Sequence, residues 1–305
     1  MNRQNMTAKI TLLIVLCVAC SMNIAMGQEV KPTSKDDGSL NNLKVMSFNI
    51  RYGRAKDGTN HWDNRHSLVI QAIEQSAPDL LGTQETLAFQ AEYLRKHLPE
   101  YSHFGRGRES DPEKGEQCAI FFRKDRFDKL KAGHFWLSPE PNKAGSRGWD
   151  AALPRMVTWI KLKDRQTGNE VVWFNTHFDH RGAQARLESA RLLARKVPEI
   201  AGDEYFIITG DFNAGVQSKP YQALFGNSGN STITIVDTFK QVVKNNNEPQ
   251  GTFNGFKGTS SGARIDWIAA SPKFSVERAG IDKFQVNGQY PSDHFPVTAT
   301  LQFKK

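Results

Sequence analysis

From Leu43 onward, short apolar runs alternate with stretches whose apolar residues recur at helical spacing. Val45-Met46-Ser47-Phe48-Asn49-Ile50 reads as a strand, and Asp63 to Gln75 places Leu68, Val69, Ala72 and Ile73 on one helical face. Leu87, Ala91, Leu94 and Leu98 mark a second helix. A third runs from Gly182 to Val197, with Ala183, Leu187, Ala190, Leu193, Ala194 and Val197 as its stripe, Arg186, Arg191 and Arg195 toward water, and Pro198 as its stop. Strands are predicted at Gln117 to Phe122, Met156 to Leu162, Val171 to Thr176, Tyr205 to Thr209, Ile265 to Ala270, Val276 to Phe284 and Val297 to Phe303. No fixed-period repeat and no second linker interrupt the pattern, which predicts one α/β domain over residues 43–305.

The segment before that domain has a different pattern. Arg3 and Lys9 precede an apolar run from Ile10 to Ala19, and Ala25-Met26-Gly27 has the small-x-small form of a signal cleavage site. That run is too short to span a bilayer. Residues 1–27 are therefore expected to be a signal peptide and residues 28–42 a polar linker, with the protein exported to the periplasm or the extracellular space. Cys20 as a lipid-modified first residue is the competing reading, which would leave a membrane-anchored lipoprotein. It is the weaker one, because Cys17 stands where a lipoprotein signal carries an aliphatic side chain.

Composition narrows the class. With 38% hydrophobic and 24% charged residues in 305, the chain is neither disordered nor a multi-span membrane protein. The formal charge is +8, or +6 once Arg3 and Lys9 are set aside. That excess is diffuse, so it permits nucleic acid as a substrate without requiring it. Beyond the signal only Cys118 remains, which excludes an intramolecular disulfide and reads as a small apolar filler in its strand.

Polar residues recur where the apolar strands run out: Phe48-Asn49, Gln84-Glu85, Asn175-Thr176-His177, Gly210-Asp211-Phe212-Asn213, Ile265-Asp266 and Ser292-Asp293-His294. Strand ends of an α/β sandwich converge on one rim, so six distant segments can supply one site. Glu85, Asp211 and Asp293 are hard oxygen donors, a set suited to Mg²⁺ or Mn²⁺. There is no cysteine cluster, His-Glu-x-x-His, Gly-x-Ser-x-Gly or Gly-x-x-x-x-Gly-Lys-Ser/Thr, which disfavours zinc, serine-hydrolase and P-loop chemistry. Taken singly, each residue has a plainer reading: Asn49 as a turn cap, Glu85 as a dipole partner of the second helix, Asp211 and Asn213 as an Asx turn.

Taken in order, these motifs resemble the endonuclease/exonuclease/phosphatase superfamily over Leu43 to Phe303. The resemblance implies a four-layer α/β/β/α sandwich of two mainly antiparallel sheets with helices outside, and divalent-metal-dependent hydrolysis of phosphate esters, most simply phosphodiesters. It implies Glu85, Asn49 and Asp293 at the metal, His294 oriented by Asp266 as the base that activates water, and Asp211, Asn213 and His177 as further catalytic residues. Arg51 stands where apurinic-site endonucleases of this fold carry a second acid, which puts a second metal in doubt. The run His177-Phe178-Asp179-His180-Arg181 and the segment around Arg155 resemble an exported bacterial branch. Arg155, Arg181, His180 and Phe256 are the expected substrate contacts, in a monomer with no membrane span. The alternatives are a secreted nuclease acting on DNA or RNA, and a phosphate-ligand binding protein that has the fold without turnover.

Overall fold

The computed structural model describes residues 41–226, 233–243 and 249–304. The signal peptide at 1–27, Cys20 and the linker up to residue 40 lie outside the described residues. In chain order the elements are β1 (Asn42–Asn49), α1 (Trp62–Ser76), β2 (Leu80–Thr86), α2 (Ala88–His97), β3 (Tyr101–Phe104), β4 (Gln117–Arg123), β5 (Phe127–Trp136), β6 (Met156–Asp164) and β7 (Glu170–His177). There follow α3 (Ala183–Ala201), β8 (Tyr205–Asp211), α4 (Lys219–Phe225), β9 (Val236–Asp237), α5 (Thr238–Val242), β10 (Asp266–Ala270), β11 (Phe274–Ile281) and β12 (Val297–Phe303). Asn42, assigned to the linker from its sequence, is the first residue of β1.

Two six-stranded sheets have the orders β11-β12-β1-β2-β4-β3 and β5-β6-β7-β8-β10-β9. Each is antiparallel except at its centre, where β1 lies parallel to β2 in one and β7 parallel to β8 in the other. Alternation along the strands sorts their side chains. Leu43 and Val45 of β1, Val171 and Trp173 of β7, Ile207 of β8 and Ile268 of β10 share the core between the sheets. Met46 and Phe48 instead meet Val69, Ile73 and Leu94 of α1 and α2, while Phe174, Ile208 and Trp267 meet Leu193, Val197 and Leu224 of α3 and α4. The result is the expected α/β/β/α sandwich.

The same alternation places the chemistry. Following the inward positions toward the strand ends, apolar residues give way to Ser47 and Asn49, Gln84, Asn175 and His177, Thr209 and Asp211. The two parallel pairs end at the same rim, and Asp266 of β10 pairs in register with Asp211 of β8. Beneath that rim Asn175 stitches the sheets. Its Nδ2 donates to Thr83 O and Ala119 O, both at 2.9 Å, while its Oδ1 accepts from Gln84 Nε2 at 2.7 Å and Thr209 Oγ1 at 3.0 Å. Asn175 and Gln84 are fully buried polar ties, and the cleft lies above them.

Two details of α3 differ from expectation. Pro198 does not stop the helix: it removes one N–H from the ladder, and the helix ends only at Gly202, which at φ 57° takes a left-handed turn and donates to Pro198 O. The buried face is carried by Ala185, Ser189, Ala190, Leu192, Leu193 and Val197, leaving Ala183 exposed and turning Arg186 back to donate to Asp179 O at 2.9 Å. Cys118 is buried beside Trp136 and Met156, and burial pushes its thiol up to about 12, as suits a filler with no reactivity.

Candidate active site

At the rim where the strands end, a cleft of about 550 Å³ is lined by Glu85, Asp293, Asp211, Asn213, His177 and His294, with Arg51, Arg155, Glu116 and Phe253 around them. Asp211 is its hub. Its Oδ2 accepts from Asn49 Nδ2 at 2.9 Å and stands 3.5 Å from His177 Nε2 and 3.8 Å from His294 Nε2. Its Oδ1 accepts from Asn213 N at 2.9 Å, so the Asx turn is real and serves to fix the carboxylate in the cleft. Burial, and then the neighbouring Asp266 charge, hold the Asp211 carboxyl well above the usual carboxylate range.

His294 Nδ1 meets Asp266 Oδ2 at 2.9 Å. Asp266 is itself held at its backbone, its N–H donating to Thr252 Oγ1 at 3.1 Å. Burial opposes a charge on His294, but the Asp266 and Asp211 carboxylates outweigh it and raise its pKa well above the ordinary imidazole value. His177 goes the other way: burial, then Arg155 and Arg108, keep it neutral. Two histidines with opposite tendencies thus face one carboxylate.

Glu85 needs a distortion to be there. Strict alternation in β2, with Leu80 inward and Leu81 outward, would aim it at the helices. The register with β4 instead shifts between Thr83 and Thr86, and Glu85 adopts φ 57°. This bulge swings its carboxylate into the cleft, where Oε1 accepts from Asn49 Nδ2 at 3.1 Å and Oε2 from Tyr52 N at 2.7 Å.

A model of the Endonuclease/Exonuclease/phosphatase family matches residues 46–294, a span that runs from β1 through His294. The chain belongs to that family. Its members are phosphoesterase hydrolases that depend on divalent metals. Among solved structures it resembles an endonuclease/exonuclease/phosphatase from Bacteroides vulgatus, at 35% identity and a TM-score of 0.79, covering 86% of this chain and 99% of that one. It is similar to a mannosyl-6-phosphatase from Bacteroides thetaiotaomicron, at 36% identity and a TM-score of 0.77, covering 86% of this chain and 100% of that one. A curated relative, Nocturnin of Drosophila melanogaster, is 25% identical over 213 residues, which is 64% of this chain and only 32% of Nocturnin.

The residues present fit the divalent metal of this family. Glu85 and Asp293 are carboxylates facing the same cleft, and burial together with the Glu85 charge raises the Asp293 pKa, a repulsion that a cation relieves. Asp211, Asp266 and His294 also bring ligand atoms within 4.8 Å of one another. In that cluster His294 Nδ1 is already hydrogen-bonded to Asp266 Oδ2, and Glu85 and Asp293 add two further carboxylates at the cleft. Asn49, also expected at the metal, bridges the carboxylates around it. Its Oδ1 is occupied by Arg51 N at 3.0 Å, and it turns its amide N–H groups to Glu85 and Asp211.

Of the expected substrate contacts, Arg155 and His180 line the cleft and touch each other, Nη2 to Nδ1, at 2.9 Å. Arg155 also approaches Asp179 with Nε at 3.5 Å, while its buried Nη1 has no hydrogen-bond partner. Arg181 does not join them. Its backbone donates to Asp179 in the turn that starts α3, and its side chain is exposed away from the cleft lining. Phe256 is not at the cleft either. The tight turn at Gly255 and Phe256, with φ of 58° and 61°, puts its ring 5.5 Å from the Arg65 guanidinium. Phe253 takes the place at the rim, 50% exposed and edge-on to the His294 ring at 5.3 Å.

Sequence reasoning missed Glu116, Arg108 and Arg65. Glu116 lies 3.8 Å from His177 Nδ1 and binds Arg108 Nη1 at 2.6 Å. Its only signal was its place at the end of a long polar loop. Arg65 is fully buried in α1, donating to Ile50 O, Pro291 O and Asn60 O at 2.7–2.9 Å, and burial lowers its pKa to about 10. It clamps the loop after β1 to the loop that carries Asp293 and His294. An arginine on a helix carries no sequence mark of such a role.

Proposed function

We propose that this cleft hydrolyses small phosphate esters by direct attack of water on phosphorus, with one divalent ion, Mg²⁺ or Mn²⁺, held by Glu85 and Asp293. The carrying observation is the His294–Asp266 pair aimed at Asp211 beside those two carboxylates. When bound, the ion would supply positive charge to the phosphoryl and leaving oxygens. His294, backed by Asp266, takes the proton of the attacking water. The carboxylates that favour its charged form also make it the stronger base once it is neutral. Asp211 orients that water between the two histidines. Arg155, Asn213 and His177 stabilise the charge that grows on the phosphoryl oxygens, and Phe253 and His180 flank the alcohol portion.

A cleft of about 550 Å³ is of the size that encloses a small molecule. The likeness to a mannosyl-6-phosphatase supports a sugar phosphate monoester in place of the phosphodiester suggested by the sequence alone. Export, with action as a monomer, belongs to the same proposal. The first rests on the apolar run from Ile10 to Ala19. The test is phosphate release from sugar phosphates, aryl phosphodiesters, DNA and RNA with Mg²⁺ or Mn²⁺. The expected result is release from sugar phosphates that EDTA abolishes and added metal restores. Turnover confined to nucleic acid would overturn the substrate reading, and binding without turnover would overturn the enzyme reading.

A further inference from the structure

Asp266 stands behind His294 with little to hold its carboxylate. Oδ2 meets His294 Nδ1 at 2.9 Å, whereas the buried Oδ1 has no hydrogen-bond partner among the described residues. The direction of the side chain is therefore set through its backbone. On one side β10 pairs with β8, Asp266 opposite Asp211. On the other side β9 pairs only with Ala269 and Ala270 and stops short of Ile265 and Asp266. Thr252 takes the place of the missing strand. It is fully buried, and its Oγ1 accepts from Ile265 N at 3.0 Å and from Asp266 N at 3.1 Å, two N–H groups that would otherwise be orphaned. The same residue reaches the other half of the pair. Its carbonyl accepts from Phe295 N at 2.7 Å and its N–H donates to Ala263 O at 3.3 Å, while the next residue, Phe253, forms a β-bridge with His294.

We infer that Thr252 is the positioning residue of the His294–Asp266 pair, its hydroxyl oxygen fixing Asp266 while its carbonyl fixes the chain beside His294. This rests on the reading of His294 as the base. Thr252 does not line the cleft, so it acts on the reaction only through the pair. Of its two attachments only the hydroxyl depends on the side chain, because any residue supplies the carbonyl for Phe295 N. Valine keeps the branched shape but removes the acceptor, which leaves two buried N–H groups unpaired and frees Asp266 to move off its line. A displacement of ~1 Å at a catalytic group costs up to about a hundredfold in rate. Binding of the ester, carried by other side chains, is untouched. Serine keeps the oxygen and hence the geometry.

The experiment compares full-length wild type, Thr252→Val and Thr252→Ser. Two readouts are taken: kcat and KM for 4-nitrophenyl phosphate with Mg²⁺, and the far-downfield proton resonance of His294 Nδ1–H in the metal-free protein, assigned by its absence from His294→Ala. Thr252→Val is expected to lose about ten- to a hundredfold in kcat with KM within about twofold, and to lose the resonance or shift it upfield. Thr252→Ser is expected to stay within about threefold of wild type and to keep the resonance. Should the valine variant not fold, Thr252→Ala, whose cavity admits water to the two N–H groups, takes its place with the same expected result. A folded valine or alanine variant with wild-type kcat and resonance would overturn the inference, as would a serine variant as impaired as the valine one. Equal turnover by wild type and His294→Ala would instead overturn the base reading beneath it, while the resonance, which needs no turnover, still decides whether Thr252 positions the pair.

Discussion

Asn49 and Asp211 lie 162 positions apart and in different sheets, yet the Asn49 amide donates to the Asp211 carboxylate at 2.9 Å. The contact is a consequence of alternation. Both residues fall on inward positions at the ends of central strands, so closing the sandwich brings them together. Asn49 donates with its other hydrogen to Glu85, and one amide thereby sets the spacing of two carboxylates that repel each other.

The seam below that contact carries stability. Replacing Asn175 by Ala removes the side-chain donor of Thr83 O and of Ala119 O and the shortest acceptor of Gln84 Nε2, which keeps Ser47 Oγ at 3.1 Å, all buried. Unsatisfied groups of this kind cost about 1–3 kcal/mol each, so a loss of roughly 3–5 kcal/mol is expected. Urea denaturation measures it as a lower midpoint with an unchanged slope.

Acid is expected to loosen the protein through Asp179. Although burial works against its charge, backbone N–H groups of Gly182, Arg181 and Ala152 bring its pKa down to about 2. An unfolded aspartate titrates near ~3.9. The stabilisation is therefore complete above that value and is lost as the pH falls from about 4 toward 2. Thermal melts from pH 6 to pH 2 should show a decline that Asp179→Asn flattens, the variant being less stable than wild type at neutral pH.

Arg155 and Arg181 separate a cleft residue from a surface neighbour. Arg155→Met is expected to raise KM by about ten- to a hundredfold, because a buried guanidinium with one nitrogen free of hydrogen bonds is lost from the cleft. Arg181→Met should leave KM within about twofold, an exposed residue of this kind contributing little. Steady-state kinetics on whichever ester the panel identifies decides between them.

What the sequence made legible follows from periodicity. Strands with one apolar face and a polar end are visible as such, which is why Asn49, His177, Asp211 and Asp266 could be named before the sheets were seen. Glu85 was visible as a carboxylate, whereas the bulge that aims it was not, since a register shift depends on the partner strand β4. Phe127–Trp136 passed unnoticed as a strand because it lies at a sheet edge, with mostly charged or half-exposed residues and a bulge at Lys129 to Lys131. Arg65 and Glu116 look like surface charges in one dimension, and only long-range packing brings them to Pro291 and His177. Arg181 and Phe256 erred in the opposite sense: they neighbour site residues in sequence, but tight turns carry them off the cleft.

The central claim is that His294, with Asp266 behind it, performs chemistry at the carboxylate cluster. Hydrolysis of the preferred ester by wild type and by His294→Ala, at saturating Mg²⁺ and matched thermal stability, tests it most directly. The expected result is a fall in kcat of about 10²–10⁴, the contribution of a general base, with the melting temperature little changed. Turnover by His294→Ala within a few fold of wild type would contradict the account.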